Sequence, residues 1–192
     1  MRTAALLFLA VPAFAQISAR PTPAAASMPA TNGASRILTQ KTDKIPLGAF
    51  VALERAFDVK LSGLADDNKG PVDMLGATRG IYLDGYGAVF TTELGLIATP
   101  TVNPFNSKIT DAQKARVHAE KIARLPGLKK AITEMMRNTA GALTQVPDNQ
   151  QIVIAVRLDY LNWENTTGLP GLVLAKADRR SALAGDFQLE EQ

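Results

Sequence analysis

Cysteine occurs nowhere in the 192 residues, and that absence narrows the possible folds more than any motif does. No disulfide can staple the chain, and no thiolate can hold a metal or attack a substrate. No lipid-bearing cysteine can tether it to a membrane either. Order has to come from an apolar core that outweighs the entropy lost on folding.

The missing disulfide matters because the N-terminus reads as an export signal. A short basic stretch ends at Thr3, an apolar run extends from Ala4 to Val11, and Ala13-Phe14-Ala15 precedes Gln16. This is the layout of a secretory signal peptide with a small-residue cleavage site. The apolar run is about half the length a bilayer-spanning helix needs. The sequence therefore predicts a signal peptide over 1–15 and a flexible Ala/Pro/Ser/Thr-rich linker over 16–35, too poor in packing residues to fold. A single domain over 36–192 follows, of ordinary size for one core. An exported bacterial protein, periplasmic or secreted, is the expected setting.

Loss of Arg2 with the signal would leave 20 Lys and Arg, one fewer than the 21 of the whole chain, against 18 Asp and Glu. So small an excess, without basic clusters interleaved with aromatics, argues against nucleic acid as a partner.

Leu47, Phe50, Leu53, Phe57, Leu61 and Leu64 recur at steps of three and four behind Pro46, which predicts an amphipathic helix ending near Gly63. The turn-like Asp66-Asp-Asn-Lys-Gly70 lacks the glycine and glutamate spacing of a calcium loop, since Pro71 and Ala77 stand at those positions. From Arg79 to Leu94 the chain reads strand, Asp84-Gly85 turn, strand. The glycines of LDGYGAVF lead into a strand-favouring run rather than a helix, so a phosphate loop is excluded, and a potassium filter would need pore helices that are absent. Gly87 is then a bulge or a close approach of two backbones.

Thr110-x-x-Gln113 is a capping box before a helix to about Leu125. Pro126 either kinks that helix or separates it from a second segment reaching Ala142. Lys108 to Arg137 holds eight Lys and Arg against three Asp and Glu. Gln151 to Trp163 alternates as a strand, a Glu164-to-Pro170 loop follows, Gly171 to Ala177 pairs back, and Asp178 caps a short helix to Ala184. Strand pairs separated by helices predict an α+β fold, an antiparallel sheet of two β-hairpins with helices packed on one face.

Chemistry is sparse. His118 is the only histidine, which rules out a histidine cluster for zinc, and no serine sits in a nucleophile context. No cofactor loop and no metal set is expected. Asp84, Glu93, Asp159 and Glu164 fall at hairpin positions, where convergence would make a carboxylate pair for a periplasmic hydrolase and dispersal would make them ordinary turn residues. Trp163, the only tryptophan, stands beside Glu164 and Asn165 in an amide-rich loop. It either stacks on a sugar or anchors a protein, with Tyr86 and Asp84 of the first hairpin as possible companions, or it packs into the core. Asn165-Thr-Thr167 matches the glycosylation acceptor, relevant only where a host modifies it. The basic helix offers a third option, adhesion to an anionic envelope surface. The leading expectation is a non-enzymatic module that binds an envelope protein or glycan.

Overall fold

Gly87 explains how the sheet is assembled. A computed structural model describes residues 45–64, 71–99 and 108–192; the predicted signal peptide, the linker and the Asp66–Gly70 turn lie outside them. Strand β2 (Arg79–Leu83) turns through Asp84–Tyr86 into β3 (Gly87–Gly95). Tyr86 N donates to Leu83 O at 3.0 Å, and Gly85 takes the left-handed φ of 73° that the turn needs. Leu83 pairs with Gly87, so three residues link the strands where Asp-Gly alone predicts two.

Gly87 itself sits at φ 135°, and a Cβ there would overlap the backbone carbonyl of Gln151. Gln151 opens β4 (Gln151–Leu158), and its N–H donates to Tyr86 O at 2.7 Å. The second glycine of LDGYGAVF is thus the point where two strands enter the sheet in contact.

Those two strands run parallel, with Gly87 opposite Gln151 and Leu94 opposite Leu158. This corrects the expectation of two hairpins in an antiparallel sheet. One helix, α2 (Asp111–Ala142, 32 residues), carries the chain back to the starting edge and makes β3–α2–β4 a crossover. Pro126 lies inside α2 and divides nothing. The predicted capping box is present, with Gln113 N donating to Thr110 Oγ1 at 3.2 Å.

On the far side, β4 pairs antiparallel with β5 (Leu172–Asp178), which pairs with a short β6 (Leu189–Glu191). Helix α3 (Arg179–Ala184) lies between them, capped by Asp178 and closed by Gly185 in the left-handed conformation. The two-residue β1 (Asp73–Met74) continues the β2 edge along β3. The order is β1/β2–β3–β4–β5–β6, a mixed six-stranded sheet.

The first helix, α1 (Leu47–Ser62), buries Phe50, Leu53, Phe57 and Leu61 of the predicted stripe, while Leu47, at its first position, is 79% exposed. The Phe90 ring of β3 stacks on Phe50 at 5.3 Å and meets Phe57 edge-on at 5.1 Å. Ala88, Phe90 and Leu94 of β3, Ile152, Ile154 and Val156 of β4, and Val173 and Ala175 of β5 join this core with the apolar stripes of the helices. Carboxylates of α1 also close the sheet edge. Glu54 Oε1 accepts from Gly80 N at 2.7 Å and Asp58 Oδ1 from Thr78 N at 2.8 Å, donors that would otherwise be open to another strand.

Gly87→Ala should therefore cost more than about 3 kcal/mol, because the clash is with backbone that moves only if β4 leaves register. Gly85→Ala, where a Cβ meets nothing within 4 Å, should cost only the ~1–2 kcal/mol of its left-handed conformation. Urea denaturation of the two variants separates the cases.

Candidate functional site

The connection from β4 to β5, residues 159–171, lies at the C-terminal ends of the parallel strands, where α/β sheets commonly place binding groups. A buried charge pair holds it. Lys121 projects from α2 onto Glu164, with the two side chains 2% and 1% exposed. Glu164 Oε1 also accepts from Thr99 Oγ1 at 3.3 Å. The Lys121 ammonium lies 4.8 Å from the centre of the Tyr160 ring, close enough for a cation–π attraction. Tyr160 Oη donates to Pro170 O at 2.7 Å, which ties the two ends of the loop together. Burial, and then the Glu164 charge, push the Tyr160 hydroxyl up to about 12.

His118 reaches the same loop from α2. Its Nδ1 lies 2.8 Å from Asn165 O, and because a carbonyl only accepts, Nδ1 carries the hydrogen. Asn165 Oδ1 in turn accepts from Thr167 N at 3.0 Å. Trp163 is half-buried, and its Nε1 is enclosed without a hydrogen-bond partner among the described residues. Beneath the loop is a cavity of about 100 Å³, lined among others by Asp73, Thr99, Lys121, Asp159 and Glu164. It has room for a few water molecules or one small functional group. Among the described residues no three His, Asp or Glu side chains are placed to share a metal ion.

Of the sequence candidates, Trp163, Glu164 and Asn165 share this loop, while Asp84 and Tyr86 lie at the opposite end of β3. Nine strand residues separate the two groups, roughly 25–30 Å at the usual rise. Glu93 points away from the core and faces Arg157 at 3.5 Å. Asp159 and Glu164 are the two of the four acids that meet in one cavity.

Lys121 and Arg124 are the residues the sequence reading passed over. Counted as part of a basic helix, they are buried instead: Arg124 Nη1 donates to Leu96 O at 2.7 Å. The signal was present, because Val117, Lys121, Arg124 and Leu128 follow steps of four, three and four along the buried stripe of α2. Of the other cations, Lys114, Arg116 and Lys129 each face a carboxylate.

The second feature is the sheet face away from the helices. Ile81 of β2 pairs with Val89, and Val89 with Val153, so all three share this face. Ile81 is 56% exposed, Leu83 43% and Tyr86 39%. The Tyr86 ring lies 5.9 Å from Lys176 Nζ of β5, which places it over the same surface. Beside this stripe is a shallow groove of about 360 Å³ lined by Arg79, Thr91, Glu93, Ala155, Arg157 and Leu172.

Glu164→Gln should lower stability by about 3–5 kcal/mol, because it leaves the Lys121 charge buried and unpaired, and pairing it with Lys121→Met should recover most of the loss. Trp163 fluorescence reads the transition. A loss below 1 kcal/mol in the single variant would contradict the pairing. For Tyr160 the sign follows from its raised value: the unfolded chain releases the phenolic proton near pH 10 and the folded chain near 12, so stability falls across that window. Tyr160→Phe should flatten that decline in alkaline denaturation curves. Comparison of the chain with protein-family models, with characterised proteins and with solved structures gives no match.

Proposed function

We propose that this chain is an exported, non-enzymatic interaction module that docks in the cell envelope through the open face of its sheet. One observation carries the reading: the parallel β3–β4 pair lies at the centre of the sheet, and on the face where no helix lies among the described residues, Val89 is half-buried and Val153 only 7% exposed, while Ile81, Leu83 and Tyr86 beside them are exposed. All-parallel sheets almost always have both faces covered, and the β3–β4 pair is the parallel element of this mixed sheet. The central strand reads Ile152-Val-Ile-Ala-Val156, an unbroken apolar run of the kind found in strands buried on both sides. Ile81, Leu83 and Tyr86 extend the apolar surface to the edge, and a contiguous exposed patch of this kind marks an interaction surface.

The hydrolase reading has less behind it. Asp84 lies at the opposite end of β3 from the cavity that Asp159 and Glu164 share, the Glu93 side chain is turned away from it onto Arg157, and Glu164 is already committed to Lys121. Adhesion through the basic helix loses ground too, since five of its eight cations are buried or paired. The Trp163 loop serves as a rigid end wall of the domain, fixed by its charge pair.

A photoreactive phenylalanine analogue at position 81 tests the proposal in the producing cell. A discrete adduct should form there and not from position 183, an exposed leucine on α3, and the adducted chain should begin at Gln16. No adduct from positions 81, 83 and 89 would reject the docking face, and an adducted chain beginning at Met1 would reject export.

A further inference from the structure

We infer that the occupant of the open face is a second copy of this chain, packed face to face about a two-fold axis that runs parallel to the strands between β3 and β4. This rests on the docking face proposed above and specifies what covers it.

Geometry first removes the other common mode of sheet association, pairing at the edges. Glu54 occupies the Gly80 amide of β2 and Asp58 the Thr78 amide just before it, and β6 at the other edge is three residues long. The face remains. Strands two to nine residues long and ~4.8 Å apart give it roughly 500–550 Å², so that two copies bury about 1,000 Å², the lower end for a specific interface.

Charge complementarity selects the partner. A face of one sign would call for an oppositely charged protein, but this one carries Arg79, Arg157 and Lys176 together with Glu93 and Glu190. The register places the Ile81–Val89–Val153 row near one end and the Glu93–Arg157 pair near the other. Rotation about an axis along the strands keeps each row at its own height and exchanges β3 with β4. Val89 then meets Val153 of the partner subunit, Ile81 lies against the aliphatic stem of the partner's Lys176, and Glu93 meets Arg157 of the partner subunit while Arg157 meets the partner's Glu93. Arg79 at the β2 edge comes beside Glu190 of the partner subunit. Thr91 and Ala155, small side chains on the central strands, lie between the two rows and let the sheets approach to the ~10 Å of packed β-layers. Self-pairing of this kind is the isologous contact found in most homodimers.

Sedimentation velocity of the purified protein over a concentration series tests the inference. The chain should sediment as a dimer in the micromolar range. Ile81→Lys with Val89→Lys should leave a monomer, and Leu183→Lys, on the helix side, should leave the dimer intact. Glu93→Arg and Arg157→Glu should each weaken dimerisation by about tenfold or more, whereas the double swap should restore it, because the two-fold axis again opposes unlike charges. Because each single change also breaks the Glu93–Arg157 pair within the chain, mixing the two single variants, whose unlike charges then face each other only across the axis, should likewise restore the dimer, and that result excludes loss of the internal pair as the cause. A wild-type monomer at every concentration, or a dimer indifferent to the position 81 and 89 changes, would overturn the second copy. If position 81 then crosslinks to a different protein, the docking face stands and only its occupant is wrong; with no adduct, both fall.

Discussion

Parallel pairing of β3 with β4 is the constraint on which the other elements depend. It exists because Gly87 lets the β3 backbone meet Gln151 without a side chain between them, and because α2 is long enough to return the chain to the same edge. Once that pair is set, α2 lies along one face and brings its apolar stripe onto Ile152, Ile154 and Val156. Helix α1 covers Phe90 beside it. Among the described residues no helix lies on the other face. The same crossover brings the C-terminal ends of β3 and β4 together and so creates the pocket under the 159–171 loop.

In a chain without disulfides, the Lys121–Glu164 pair works as an internal clasp. Its contribution is positional more than energetic, since two buried charges repay little beyond their own desolvation. What it does is fix how the loop seats: Glu164 is held on the buried Lys121, and Tyr160 and His118 add further ties. A loop rich in amides and hydroxyls is held by these contacts against α2.

Much of the local structure was legible. The period of α1, the Thr110–Gln113 capping box, the Asp178 cap and the close approach at Gly87 each follow from residue chemistry acting over a few positions. The sheet order was not, because partner choice between strands is settled by what lies between them in three dimensions. Pro126 left open whether 110–142 is one helix or two, and pairing each strand run with its sequence neighbour concealed the crossover that the single α2 makes. Lone short strands such as Asp73–Met74 and Leu189–Glu191 carry too few residues for a period. The candidate site was legible in part: Trp163, Glu164 and Asn165 do share a loop. Glu164's partner was hidden by treating each cation of α2 as solvent-facing, although Lys121 and Arg124 stand where the helix period demands apolar groups.

The length of α2 also sets an order in time. The β2–β3 and β4–β5 pairs join residues near in sequence, whereas Gly87 and Gln151 stand more than sixty residues apart, and contacts of such separation form late because the intervening chain must first lose its freedom. The centre of the sheet is thus the last part to close, and until it does, both central strands present their apolar sides to the surroundings. A chain built this way spends its vulnerable interval with its most adhesive segments uncovered.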